Sequence, residues 1–349
     1  MSRSDGEIGK NMNGDDRTIT MAHGAGGKDS SDLMRGIFGR RFSNPVLDSM
    51  EDAACLALPA GDVCVSTDSF VVTPVEFPGG DIGKLAVCGS VNDVLMMGAK
   101  PRYLTCGYIL ETGLSMKLLD RVAESMARAA GEAGVTIAAG DTKVIERRSA
   151  GEPGLMINTT CIGVRSRAGI GAANARAGDA VIVSGTLGDH HACILSARMG
   201  ITNGIESDCA VLAPVTEALL AGGADVHVMR DITRGGLATV LNEIAVSSGV
   251  DIEIEDGAVP VTGEVKAFCG IMGLDPLYMG NEGKLAAIVA AEDEERALAL
   301  IRSCALGRDA AVIGHISEVS GDPVVKMRTR IGGTRRIDML IGEGLPRIC

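Results

Sequence analysis

The sequence predicts an α/β (α+β) protein of two units with a flexible C-terminal tail, and three observations predict it. Short runs with strand character alternate with longer segments of helical period, first over residues 18–165 and again over 175–325. Residues 165–178, rich in Ala, Gly and Arg, separate the two series. Beyond Pro323 the alternation fades, leaving 326–349 as a tail that ends in Cys349. The 349 residues are enough for two cores. The polar stretch 1–17 reads as a disordered extension.

In the first series, residues 63–67 form a strand running into Asp68. Residues 82–97 carry an apolar face (Leu85, Ala86, Val91, Val94, Leu95) and form a helix. Residues 102–110 return as a strand, and 115–133 form a long helix capped by Ser115. Two further strands follow, 135–139, ending at Gly140-Asp141, and 155–163. In the second series strands 180–184, 226–230, 251–255 and 285–290 alternate with helices 209–221, 237–247, 261–270 and 292–303.

Composition sets the limits. Hydrophobic residues make up 46% and aromatics only 2%, without Trp, so the cores are packed with Ala, Val, Ile, Leu and Met. A formal charge of −12 argues against nucleic acid as the main partner. The 10 cysteines show no CxxC spacing and lie mostly in apolar runs, the pattern of buried thiols in a reducing compartment. Residues 1–17 contain no apolar signal-peptide core, and no apolar stretch is long enough to cross a bilayer, so a cytoplasmic protein without a membrane partner is expected.

Asp68, Asp141 and Asp231 are each expected directly after a strand, Asp93 lies within the first strong helix, and Asp52 stands in an acidic pair with Glu51. Carboxylates beside glycines and hydroxyls are the hard oxygen ligands of Mg²⁺, an ion usually shared with substrate phosphates. His23-Gly24-Ala25-Gly26-Gly27-Lys28 joins a glycine-rich turn to a cation, which suits an anion, although it lacks P-loop spacing. Gly235-Gly236, opening a helix, is either a second anion cradle or an ordinary turn. Lys143 and Glu282 lie in glycine-flanked segments as a base and an electrostatic clamp, or as solvated charges. His190-His191 have no third ligand at a metal-binding spacing. The tail offers a terminal thiol on Gly342-Glu343-Gly344-Leu345-Pro346-Arg347-Ile348, with an extended reach of about 25 Å. Unaided, these residues define an ATP- and Mg²⁺-binding two-domain protein with a reactive terminal thiol.

Taken together the motifs resemble the carbamoyl dehydratase (HypE) family of the aminoimidazole ribonucleotide synthetase superfamily. The resemblance rests on HGAGG at 23–27, STDSF at 66–70, FPGGDIGKLAVCGSVNDV at 77–94 and GDTKV at 140–144, then SGTLGDH at 184–190, DITRGG at 231–236, NEGKL at 281–285 and PRIC at 346–349. It implies an aminoimidazole ribonucleotide synthetase-like fold and a homodimer binding ATP at its N-terminal domain. Gly24, Gly26, Gly27, Lys28, Asp68, Asn92, Asp93, Asp141 and Asp231 would bind ATP, with Asp52, Asp68, Asp93 and Asp141 around Mg²⁺. It further implies that a HypF carbamoyltransferase loads Cys349 and that ATP-driven dehydration leaves a thiocyanate. The cyano group would then pass to a HypC–HypD complex for [NiFe] hydrogenase maturation, with Lys143 and Glu282 assisting proton removal. Selenophosphate synthetase, in the same superfamily, wants a reactive Cys or selenocysteine in the glycine-rich segment, and here no cysteine precedes Cys55. A nucleotide-binding scaffold without dehydratase chemistry is the reading from another class; it would keep its function in Cys349→Ala.

Overall fold

The computed structural model describes residues 17–340 apart from Ser149. Residues 1–16 of the expected extension and the tail from 341 onward, Cys349 included, lie outside the described residues. Arg17, expected in the extension, is instead tied down: its carbonyl accepts from Met116 N–H at 3.0 Å.

After a 3-10 turn at Met21–Gly24 come α1 (Lys28–Leu33), a π-helical stretch Met34–Gly39 and α2 (Arg40–Phe42). They bury Leu33, Ile37, Phe38 and Phe42, and Arg41 clamps Asp120 through two hydrogen bonds of 3.0 and 2.9 Å. The sequence pattern did not announce them, because so short an apolar run fits no single period. β1 (Val63–Phe70) follows, then a hairpin of β2 (Glu76–Phe77) and β3 (Gly80–Asp81). Next are α3 (Ile82–Met96), β4 (Ala99–Glu111), α4 (Met116–Ala133), β5 (Thr136–Ile145) and β6 (Leu155–Arg165). Ser115 caps α4 as expected, and Gly134 closes it in the left-handed conformation (φ +65).

The first sheet runs β1-β6-β4-β5, antiparallel except for the parallel β4–β5 pair. Its helix side is covered by α3 and α4. α4 is amphipathic and buries Leu119, Val122, Ala123, Met126, Ala129 and Ala130 at helical spacing. α3 is buried nearly all round, because its other side meets the second unit. Close approach requires small residues: a Cβ on Gly89 would stand 2.7 Å from the Phe70 ring. That contact sets α3 directly on β1.

The second unit contains β7 (Ala180–Val183), α5 (Asp189–Met199), α6 (Ala213–Ala221), β8 (Val226–Asp231), α7 (Gly236–Ser248), β9 (Val250–Glu255) and α8 (Gly263–Met272). β10 (Leu285–Val289), α9 (Glu294–Arg302), β11 (Ala311–Val319), β12 (Val325–Arg328) and β13 (Thr334–Ile337) complete it. They build a seven-stranded sheet in the order β13-β12-β9-β11-β7-β10-β8. Three expectations change. The helix placed at 209–221 begins at Ala213, because residues 207–212 are spent on contacts described below. α5 and β11 were not foreseen. The alternation expected to fade beyond Pro323 instead supplies β12 and β13, whose Val325, Met327 and Ile337 are buried in the sheet's core. Those strands are four residues long and arginine-rich, so their period is too brief to read. Among the described residues no helix is long and apolar enough to cross a membrane.

A buried cluster of carboxylates at the junction of the two sheets

The junction is assembled by α3. Asp93, partly buried on this helix, accepts from the Ser66 hydroxyl of β1 at 2.5 Å and lies within hydrogen-bonding range of Asp68, two residues further along the same face of β1. Burial, with the Asp68 charge adding to it, pushes the Asp93 carboxyl up to about 6. Asp231, the last residue of β8, stands near both and is pushed up to about 7, chiefly by burial and then by the Asp93 charge, with Arg230 opposing. Glu282, 4% exposed, completes the group. Burial raises it well above the usual carboxylate range, helped by negative charge at Cys209, Asp231, Asp208 and Asp68.

Asn92, expected as a nucleotide ligand, ties the two units together. Its amide donates to Ala210 O at 3.0 Å and accepts from Leu212 N–H at 2.9 Å, stitching α3 to the segment before α6. Of the three aspartates expected after strands, only Asp231 ends one. Asp68 lies inside β1 and Asp141 inside β5, because both strands run on past the apolar run that marked them.

The remaining candidates gather at the other edge of the first sheet. Asp141 and Lys143 are paired at 2.7 Å and both are about two-thirds exposed (67% and 66%). The lysine holds the Asp141 carboxyl below the usual range. By register Gly107 faces Asp141 and Ile109 faces Lys143, so the pair lies on the uncovered face with Ile109, Thr105, Thr160, Thr67 and Asn158. Asp68 and Asp93 lie on the helix-covered face, and three strand intervals, about 14 Å, separate β1 from β5. The glycine-rich loop is exposed and rests on β5, with Gly24 against Val144, while Gly26 adopts φ +81. Lys28 opens α1 beside it. Asp52 and Asp141 line one cavity of about 260 Å³ between residues 34–54 and β4–β5. Among the described residues no group of three or more His, Cys, Asp and Glu side chains is arranged to hold a metal by itself. His190 and His191 are buried; His190 Nδ1 meets Ser207 Oγ at 2.7 Å.

One residue escaped the sequence reading. Asp208, its side chain 3% exposed, accepts from the N–H groups of Glu282 (3.1 Å) and Gly283 (3.2 Å) and pairs with Lys284 at 3.5 Å. An isolated aspartate in a loop carries no signal until the fold brings its partners to it.

Two mixed sheets joined face to helix, with paired carboxylates at the join, define the class: two-domain proteins related to AIR synthase. The AIR synthase related N-terminal domain model matches residues 50–165 and the C-terminal domain model residues 176–326. Within that class the chain belongs to the HypE family of carbamoyl dehydratases. It is 49% identical to carbamoyl dehydratase HypE of Cupriavidus necator over 95% of both chains, and 44% identical to that of Escherichia coli over 95% of this chain and 99% of the other. The crystal structure of hydrogenase maturation protein HypE in complex with ATP superposes with a TM-score of 0.89 at 48% identity, covering 94% of this chain and 99% of that one. A HypE–HypF complex matches at 44% identity and TM-score 0.76, over 88% and 99%.

Proposed function

We propose that this protein converts a carbamoyl group carried as a thioester-like amide on Cys349 into a thiocyanate, with ATP as phosphoryl donor, and so supplies cyanide ligands for [NiFe] hydrogenases. The observation that carries the reading is Glu282: a buried carboxyl beside the Asp68–Asp93–Asp231 cluster, raised well above the usual carboxylate range by burial, which makes it a stronger base once ionised.

The chemistry balances as follows. The amide oxygen attacks the γ-phosphorus of ATP and ADP leaves. The nitrogen gives up its protons, the C–O bond breaks, and phosphate departs with the oxygen, leaving S–C≡N. Glu282 accepts one of the two protons from nitrogen and the departing phosphate takes the other, while the burial of Glu282 keeps water away from the activated carbon. Lys143 and Lys28 offset phosphate charge near the glycine loop of Gly24, Gly26 and Gly27, where Gly26 N–H is held by the Ser30 hydroxyl at 2.9 Å. Asp68 and Asp93, with Asp231 near, suit Mg²⁺, which binds through one or two carboxylates plus phosphate oxygens. The ion supplies neutralisation of charge on the transferring phosphoryl group.

We further propose a homodimer formed over the uncovered sheet face, where Val63 (50%), Val65 (61%) and Ile109 (40%) are exposed. Lys143, Asp141 and the glycine loop of one chain would then serve the Glu282 cluster of its partner. A HypF carbamoyltransferase would load the thiol and a HypC–HypD complex would take the cyano group, in the cytoplasm.

Intact-mass spectrometry tests the reading after incubation with the carbamoyltransferase, carbamoyl phosphate and Mg-ATP. Gain of one carbamoyl group and then loss of one water, both mapped to Cys349, is expected. An unchanged mass with an active partner enzyme would leave the nucleotide-binding scaffold in its place.

A further inference from the structure

The turn that carries Glu282 is held from outside its own strand. Residues 203–212 run between α5 and α6, and their polar attachments reach α5, α3, the β2–β3 hairpin and the turn that carries Glu282. Ser207 N–H donates to Pro78 O at 2.9 Å, beside the β2–β3 hairpin, while its hydroxyl meets His190 Nδ1 at 2.7 Å. Asn92 of α3 grips Ala210 and Leu212. Ala210 N–H donates to Glu282 O at 3.2 Å. Between these anchors stands Asp208, one oxygen on Glu282 N–H, the other on Gly283 N–H and near the Lys284 ammonium. The fit leaves no slack. A Cβ on Gly283 would lie 1.9 Å from Asp208 O, so only glycine lets the two segments meet.

From this geometry we infer that Asp208 is the positioning residue for Glu282: its carboxylate, neutralised by Lys284, fixes the turn that presents the base and places a negative charge behind it. The inference rests on the reading of Glu282 as proton acceptor. A buried carboxylate kept beside Glu282 is costly for stability alone, since two ionised carboxylates repel. It is useful if the neighbouring charge helps set where Glu282 gives up its proton. The groups facing Glu282 are Cys209, Asp231, Asp208 and Asp68, and Asp208 alone among them also bonds the Glu282 backbone. Lys284, 11% exposed, faces Asp208 and acts on Asp189 as well.

The test is single-turnover loss of water from Cys349-carbamoylated full-length protein with Mg-ATP, followed by mass spectrometry across pH. Rate rises with pH as Glu282 loses its proton. In Asp208→Asn the acid limb moves to lower pH, because a charge that favoured the protonated form is gone. The plateau falls by about tenfold or more, because the turn loses one of its two acceptors. Lys284→Met moves the limb the opposite way, to higher pH, which keeps the inference testable if the first variant folds poorly. Carbamoylation of Cys349 stays at the wild-type level in both. A slower reaction with the limb unmoved in both variants means that Asp208 is merely structural and overturns the inference. Wild-type rate and profile in Asp208→Asn, with Glu282→Gln inactive, also overturns it while leaving the base in place. Wild-type dehydration by Glu282→Gln instead overturns the underlying reading of the base.

Discussion

The two groups of charged residues on this chain are handled in opposite ways. At the junction, Asp93 and Asp231 are pushed by burial up to about 6 and about 7, and Glu282 is raised well above the usual carboxylate range. At the β5 edge, Asp141 and Lys143 stand in solvent as a mutual pair that holds Asp141 ionised. Buried like charges store a demand, for protons or a cation, whereas an exposed ion pair contributes about 0–1 kcal/mol and is ready to exchange partners. The junction is therefore built before any ligand arrives. In the proposed homodimer, the β5 edge supplies one half of a site that the partner chain completes.

The sharpest way to break the comparison is to remove the base without changing its shape. Glu282→Gln is expected to slow dehydration by about 10²–10⁴-fold with Cys349 carbamoylation intact. Equal rates would show that burial at the junction is not catalytic. A mixed dimer then asks whether the two groups meet across chains. Lys143→Ala and Glu282→Gln protomers are each impaired, yet in the proposed dimer together they reconstitute one intact site of two, so the purified heterodimer is expected to recover about half the wild-type activity and an unsorted coexpression mixture about a quarter. No restoration would place both groups in the service of one chain.

Stability separates the regions further. Asp93 and Asp231 have folded-state values above that of a free aspartate, so the native state keeps protons that the unfolded chain has already released. Their contribution is present at acid pH and is lost as pH rises through about 4 to 7. Chemical denaturation should show stability falling by about 1–3 kcal/mol over this range, and Asp231→Asn should flatten the fall. Added Mg²⁺ should raise the melting temperature at alkaline pH, and Asp93→Asn should abolish that rise. Asn92→Ala, which cuts both bonds to Ala210 and Leu212, should cost about 2–3 kcal/mol by the same measurement. Lys143→Ala should change stability by less than about 1 kcal/mol. A larger loss would mean that the β5 edge is structurally engaged within its own chain.

Much of this was legible in the chain. Helix α4 and the strands of the first sheet declare themselves through apolar period and the Ser115 cap, since one face of each must meet a core, while α3 declares itself as a long apolar run that is buried nearly all round. Asp68, Asp93, Asp231 and Glu282 were singled out because carboxylates beside glycines and hydroxyls are chemically conspicuous. The strands β12 and β13 were not, because four-residue arginine-rich segments take their strand character from the neighbour they pair with.

What the sequence determined by itself is local: which segments are amphipathic, where caps and turns fall, and which residue types are available for chemistry. What only the tertiary structure decided is company. Asn92 became a stitch between units, Asp208 became the support of Glu282, and five aspartates that look alike in the chain parted between the junction and the β5 edge. The physical reason is that burial and neighbouring charge set the behaviour of a carboxylate, and both are properties of contacts between residues far apart in sequence.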